Sequence, residues 1–423
     1  MQIEIPDKVK YIIHQLMNHG YESYAVGGCI RDSLLMKSPD DWDITTSAKA
    51  MEIKKIFSRT VDTGIQHGTV TVLLDEESFE VTTYRIDGEY EDSRRPKAVM
   101  FTHELAEDLK RRDFTINAMA YNPQEGLIDL FGGMDDLKRK VIRCVGKPLE
   151  RFNEDALRML RAIRISAQLD FRIEEETKQS IFALNGNLSH ISAERIQAEL
   201  VKLLVSPHPG TFRIAYETGI TKVILPEFDD MMETACHDCD GKYYPGERVL
   251  IGLSLVEPDK ALRFTMLLHD IAEPIEGEKI SEGILRRLRF DNDTIHKVTK
   301  LIRWHDEPIY PSPEAVRKTV CKMGEELFPL LLKVKRAVIQ SWNNSAQRER
   351  LACLDEVEQV YDKIVKEGQC VSLKTLAVTG SDLISVGMKP GEKLGEELLR
   401  LLELVLENPQ HNKKEYLLEQ IKL

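Results

Sequence analysis

The chain of 423 residues carries 58 Lys and Arg against 70 Asp and Glu, a net charge of −12. That excludes a uniformly basic nucleic-acid binder but not one whose cations are clustered. With 42% hydrophobic residues there is core material for roughly two to four domains. No apolar run reaches membrane-span length, residues 1–20 pattern as an amphipathic helix rather than a signal peptide, and seven scattered cysteines fit a reducing cytoplasm better than a disulfide framework.

Residues 6–19 set Val9, Ile12, Ile13, Leu16 and Met17 on one helical stripe, with Pro6 near its start and Gly20 past its end. The segment 24–47 is the one around which the chain is organised. A β-prone run, Tyr24-Ala25-Val26, breaks at Gly27-Gly28; an amphipathic turn of helix spans 30–36; Asp41-Trp42-Asp43 then enters a second β-prone run, Ile44-Thr45-Thr46. Adjacent glycines let backbone N–H groups approach a phosphate, and a helix start adds partial positive charge. Residues two apart in a strand share a face, so Asp41 and Asp43 aim two carboxylates at one spot, where they can hold Mg2+ against a triphosphate. An isolated D-x-D is usually an acidic loop; the Gly-Gly-x-x-Arg-Asp block upstream favours the metal-binding reading.

Residues 48–58 pattern as a helix, 67–74 as a strand, and 79–84 as its hairpin partner after a turn at 75–78. In the second strand Glu80 faces opposite to Phe79 and Val81, either as an exposed glutamate or as a third carboxylate beside Asp41 and Asp43. The polar stretch 85–100 reads as a mobile loop. Residues 111–120 lead into a helix, and 129–137 form a turn into a short one. The reading to this point is α+β, with helices around a mostly antiparallel sheet.

From about residue 146 strand signals fade and the pattern is helical. Asn153 is placed as the N-cap of a helix over 154–169; another helix covers 193–205, and a mixed-charge helix covers 394–406. Basic residues gather at Arg94-Arg95-Pro96-Lys97, Lys110-Arg111-Arg112, Lys138-Arg139-Lys140, Arg158/Arg161/Arg164 and Arg286-Arg287-x-Arg289. Five such clusters in an acidic protein point to a localised polyanion site. Cys236 and Cys239 have ligand-like spacing, but one pair without a second is weak evidence for zinc.

Five ordered blocks carry a family resemblance: Gly27-Gly28-x-x-Arg31-Asp32 with Asp41-x-Asp43, Arg111-Arg112-Asp113-Phe114-Thr115-x-Asn117-Ala118, Asp129-x-x-Gly132-Gly133-x-x-Asp136-Leu137, Glu154-Asp155-x-x-Arg158-x-x-Arg161, and Ile191-Ser192-x-Glu194-Arg195-Ile196-x-x-Glu199-Leu200. The chain resembles the class II tRNA nucleotidyltransferases, the bacterial CCA-adding enzyme and poly(A) polymerase family within the polymerase-β-like nucleotidyltransferases. The likeness continues more weakly through 285–292 and 378–383.

The resemblance implies a catalytic head with the sheet (1–145), a helical neck that reads the base (146–210), a helical body (211–335) and a helical tail that binds tRNA (336–423). It implies Asp41 and Asp43 as Mg2+ ligands, Gly28 and Arg31 on the triphosphate, Arg112 at nucleotide and primer end, and Asp155, Arg158, Arg161 and Arg164 on the base and triphosphate side. The implied partners are tRNA, ATP and CTP, with no membrane, in a monomer or homodimer in the cytoplasm. On one helix Asp155 and Arg158 would be neighbours, an acceptor and a donor fork that suit the amino group and ring nitrogen shared by cytosine and adenine.

The implied reaction is addition of C, C and A to tRNA 3′ ends. Its rivals are an A-adding or CC-adding partner and a poly(A) polymerase; the loop at 85–96 counts against the CC-adding form. An inactive RNA-binding protein is disfavoured because every expected carboxylate is present. Leu268-His269-Asp270-Ile271, with His237 and His305 on either side, resembles an HD phosphohydrolase module, although the region around His237 departs from that pattern.

Overall fold

A Gly-Gly break and two short β-prone runs become the centre of a seven-stranded sheet. The computed structural model describes residues 3–87, 90–91, 95–96, 99–238, 241–342 and 346–421. The chain divides into two units, Met1–Pro226 and Glu227–Leu423.

In unit 1, α1 (Asp7–Asn18) buries Val9, Ile12, Ile13 and Leu16, the expected stripe. It leads to β1 (Ser23–Val26), buried along its length, then α2 (Gly28–Leu34), β2 (Ile44–Thr46) and α3 (Ala50–Ile56). The next strands are β3 (Thr60–Gly64), β4 (Thr69–Leu74) and β5 (Glu77–Thr83). β4 and β5 form the expected hairpin, with Val72 opposite Phe79. Four short strands follow: β6 (Arg85–Asp87), β7 (Tyr90–Glu91), β8 (Arg95–Pro96) and β9 (Val99–Phe101), pairing β6 with β9 and β7 with β8. Where it is described, the stretch 85–100 expected as a loop is instead made of these short strands; 88–89, 92–94 and 97–98 lie outside the described residues, as does Cys239.

After α4 (Leu105–Lys110) the helix that residues 111–120 were expected to enter is absent. Thr115–Asn117 form a single 3-10 turn, and β10 (Met119–Asn122) and β11 (Gly126–Asp129) follow. The sheet order is β11-β10-β1-β2-β5-β4-β3. Every pair in it is antiparallel except β2 with β5, so the sheet is mostly antiparallel as expected. β1 and β2 are flanked on both sides, which fixes the turns at their ends.

α5 (Gly133–Arg139) precedes a two-residue parallel pair, β12 (Val141–Ile142) with β13 (Arg172–Ile173). The expected helix over 154–169 is instead two: α6 (Pro148–Glu154) and α7 (Leu157–Leu169), separated at Asp155, whose backbone is extended. Asn153 is therefore inside α6 and caps nothing. α8 (Glu175–Leu184), α9 (Ala193–Leu204), α10 (Arg213–Glu217) and α11 (Thr221–Ile224) complete the unit.

Unit 2 is helical apart from an antiparallel pair, β14 (Cys236–Asp238) with β15 (Gly241–Tyr243), so strands do recur after residue 146. α12 (Pro226–Glu233) leads into it; α13 (Pro245–Leu253), α14 (Lys260–Leu268), α15 (Pro274–Arg287) and α16 (Asn292–Trp304) follow. Next are α17 (Pro313–Met323), α18 (Phe328–Ser341) and α19 (Gln347–Lys366). α20 (Gly380–Ser385), α21 (Glu392–Glu407) and α22 (Lys414–Glu419) close it around Leu383, Leu401, Val405 and Leu417. Among the described residues no helix is long and apolar enough to cross a membrane.

Candidate active site

The turn after β1 is a position only glycine fills without strain. Gly27 has φ 92°, and a Cβ there would sit 3.2 Å from Arg112 Nη1 and 3.9 Å from Asp43 Oδ2. The backbone, a guanidinium and a carboxylate thus converge within van der Waals distance. Gly28 starts α2, which is seven residues long, so the positive charge nearby comes mainly from side chains.

Asp41 and Asp43 lie in the segment before β2 rather than inside the strand, and the Asp43 carbonyl accepts from Val26 N–H at 3.0 Å. Asp41, Asp43 and Glu80 line one cavity of about 640 Å3, with Trp42 and Pro6 on its walls. Glu80 is exposed between the buried Phe79 and Val81, as period-two alternation requires. It also borders a second cavity of about 430 Å3, beside Thr63, His67 and Arg85.

Charge is unbalanced here. Asp43 is solvent-accessible, yet the surrounding walls desolvate its carboxyl group enough to raise its pKa; Asp41 raises it further and Arg112 opposes. Glu80 is raised by desolvation and then by Asp43 and Asp41. Among the described residues no three His, Cys, Asp or Glu side chains converge as a ready-made metal cage. Two carboxylates close enough for Asp41 to raise Asp43 nonetheless suit Mg2+, which takes one or two carboxylates and completes its shell with water and substrate phosphate.

The arginines expected at the site are held by a second set of acids. Arg112 Nη2 reaches Asp108, whose carboxylate is fully buried on α4 and also accepts from Arg111 at 2.8 Å and Thr45 Oγ1 at 3.1 Å. Burial pushes Asp108 up, but Arg111 and Arg112 outweigh it and hold it below the usual range. Arg31 donates Nε and Nη2 to Asp32 and Nη1 to Asn117 Oδ1 at 2.7 Å. Asn117 Nδ2 donates to Asp113 at 3.1 Å, and Asp113 takes both Nε and Nη2 of Arg161 at 2.9 and 2.8 Å. Arg161 and Arg164 then share Glu199 of α9, at 3.4 and 2.6 Å. Against burial, Arg161 and Asn117 hold Asp113 far below the usual carboxylate range.

Asp155 and Arg158 are not the side-by-side pair expected from one helix. Asp155 Oδ1 accepts from Leu157 N–H at 3.1 Å and Oδ2 from Arg195 Nη2 at 2.8 Å. Arg158 is buried, donating to Glu154 Oε2 at 2.7 Å and to the Arg111 carbonyl at 2.9 Å. The extended backbone at Asp155 turns its carboxylate towards α9, away from the neighbour three residues on.

Sequence reasoning assigned no role to Asp108, Asn117, Arg195 or Glu199. The spacing of Asp108 from Arg111 and Arg112, three and four residues, was a usable signal. Glu199 and Arg195 carry no spacing signal, because their partners lie about forty residues earlier, although both fall in the fifth block of the resemblance.

His269 and His305 of unit 2 pack edge to face with centroids 5.3 Å apart; burial pushes each down to about 4. Neither belongs to a three-ligand metal cluster among the described residues.

Three family models match the chain. "Poly A polymerase head domain" covers residues 23–143, "Probable RNA and SrmB-binding site of polymerase A" covers 170–232, and a tRNA nucleotidyltransferase domain 2 model covers 264–421. The CCA-adding enzyme of Enterococcus faecalis is 37% identical over 98% of this chain and 96% of its own. That of Anoxybacillus flavithermus is 36% identical over 96% and 94%. The crystal structure of Bacillus stearothermophilus CCA-adding enzyme in complex with CTP is similar at TM-score 0.76 and 30% identity, covering 99% of this chain and 98% of that one. A Thermotoga maritima CCA-adding enzyme complexed with tRNA shares the fold, with TM-score 0.60 at 21% identity over 99% and 98%.

Proposed function

Because this chain belongs to the CCA-adding enzymes, we propose that it adds C, C and A to the 3′ end of tRNA from CTP and ATP, releasing pyrophosphate. The observation that carries the assignment of chemistry to this site is the cavity in which Asp41, Asp43 and Glu80 meet, with Arg112 against the Gly27 backbone. Phosphoryl transfer asks the protein for positioning and charge stabilisation rather than covalent chemistry, and these residues supply both.

In this reading Asp41 and Asp43 would hold Mg2+, which would supply charge neutralisation at the triphosphate. Gly27 and Gly28 let the backbone approach the triphosphate; Arg31 and Arg112, fixed by Asp32, Asn117 and Asp108, meet its charge. Glu80, raised above an ordinary glutamate, is suited to accept the hydroxyl proton. It stands between two cavities, one for the nucleotide and one for the primer end.

Asp155 takes the exocyclic amino group that cytosine and adenine share and uracil lacks, with Arg195 holding its second oxygen. Arg161 and Arg164, tied through Asp113 and Glu199, keep α7 and α9 in register behind the base. The head, neck, body and tail division at 145, 210 and 335 and a cytoplasmic site of action belong to the same proposal.

The test is extension of tRNA transcripts ending at the discriminator base, at C, or at CC, with labelled CTP or ATP and Mg2+. Full CCA from the first transcript is expected. Addition of A alone, of CC alone, or of a long A tail identifies one of the partial enzymes or a poly(A) polymerase.

A further inference from the structure

Unit 2 contains a cavity of about 450 Å3 that the chemistry above does not use. Its floor is apolar, from Val338 and Ile339 of α18 and Leu354 and Val357 of α19. Its polar groups are few: an exposed carboxylate, Asp306, at one side, and otherwise cations, a histidine and a tryptophan. Trp342, at the end of α18, forms part of the wall, and the Arg350 guanidinium lies 4.5 Å from its ring centroid. Arg248 lies 5.4 Å from the same centroid and 3.2 Å from that of Tyr243, so aromatic and guanidinium planes alternate: Tyr243, Arg248, Trp342, Arg350. Arg350 is exposed and has no carboxylate partner among the described residues.

Beneath this ladder Lys335, only 8% exposed, donates to the carbonyls of His305 and Glu307 at 2.8 and 2.6 Å. That uses two of the three N–H donors of an ammonium on a cavity wall. His305, on the same wall, places Nδ1 2.6 Å from the Ile302 carbonyl, so Nδ1 carries the proton and Nε2 of the neutral ring is an acceptor. Burial holds that ring neutral at physiological pH.

An apolar slot with a planar wall, a neutral acceptor, a buried cation and the rim cation Arg350 standing against the single carboxylate of Asp306 fits a flat nitrogen heterocycle whose phosphate lies towards Arg350. Stacking on aromatic and guanidinium planes is how proteins hold unstacked bases. A volume of this size is in the range of pockets that bury a small ligand. We propose that the Trp342 cavity is a nucleobase-binding pocket, occupied by an unstacked base of the RNA substrate; the choice of RNA rests on the function proposed above.

Cys353 reports occupancy, because it is exposed and lines the cavity. Alkylation of Cys353 would be followed by mass spectrometry on the intact protein, alone and with tRNA, with AMP or CMP, or with heparin, which has charge but no bases. The affinity for tRNA would be measured at fixed salt for wild type, Trp342→Ala, Trp342→Phe and Cys353→Trp; the last fills the cavity from an exposed wall. The expected result is protection by tRNA and not by heparin. Trp342→Ala and Cys353→Trp should weaken tRNA binding on the order of tenfold, the effect of one lost stacked base, and Trp342→Phe should restore most of it. The kcat for CTP incorporation at saturating tRNA should stay at the wild-type value. Protection by AMP or CMP alone supports the pocket and identifies free nucleotide as its ligand. Equal protection by heparin, or wild-type affinity in both weakened variants, overturns the proposal. Wild-type CCA addition in that same case leaves the proposed function standing.

Discussion

Unit 1 holds two groups of acidic side chains whose surroundings are opposite. Asp43 and Glu80 border a cavity and are raised by desolvation first; Asp41 raises both, Asp43 also raises Glu80, and Arg112 opposes only at Asp43. Asp108 and Asp113 are more deeply buried yet are pushed down, because each accepts hydrogen bonds from at least one guanidinium. The first group is short of positive charge and the second is supplied with it. A site that must receive a cation and a triphosphate is left incomplete by the protein, whereas a site that must hold shape is completed.

The sharpest way to break this contrast is Asp43→Asn. Nucleotide addition should fall on the order of a thousandfold, by analogy with loss of one preorganised charge-stabilising group. Because the folded pKa of Asp43 is raised, its ionised form costs stability at neutral pH; that cost vanishes below the ordinary carboxylate pKa. The variant should therefore melt at or above the wild-type temperature at pH 7. A lower melting temperature would place Asp43 with the structural group.

Asp113→Ala should do the reverse. It removes the two short bonds from Arg161 and leaves that half-buried guanidinium only its longer contact with Glu199, and loss of a hydrogen bond to a charged group costs about 1.5–3 kcal/mol. Thermal unfolding should show the loss at pH 7 and a smaller difference in acid, since stability from a lowered carboxyl pKa is lost as pH falls.

Asp155→Ala tests whether that carboxylate belongs to either group. Loss of a hydrogen bond to a charged partner costs about 1.5–3 kcal/mol, so the preference for CTP over UTP should relax by roughly ten- to a hundred-fold in kcat/KM. Unchanged preference in a folded variant would make its bond to Arg195 purely structural.

The smallest expected effect lies in unit 2. His269 and His305 have pKa values lowered to about 4 from 6.5, so the unfolded chain takes up protons in that interval that the folded chain refuses. Stability should decline as pH falls from 6.5 towards 4, and His269→Gln should flatten the decline in chemical denaturation.

Much of this was legible in the sequence. The Gly27-Gly28 break and the alternation that turns Glu80 outward from Phe79 and Val81 are local patterns, and the sheet obeys them. The two misplaced helices have tertiary causes. Residues 154–169 carry continuous helical periodicity, but Asp155 leaves the helix to cap Leu157 and meet Arg195. Around 115–117 a helix would carry Asn117 off its contacts with Arg31 and Asp113; one 3-10 turn keeps them. Partners 40 or 86 residues apart leave no mark on local periodicity.

The linked side chains Asp32, Arg31, Asn117, Asp113, Arg161, Glu199 and Arg164 have a consequence for how such a sequence can drift. Each inner member serves a neighbour on both sides, so a single exchange orphans two partners at once. Residues in one network do not contribute additively, and a harmful first step is relieved only by a second at a specific place. Substitutions here are expected to travel in company, with the reversed pair at Asp113 and Arg161 tolerated better than either change alone.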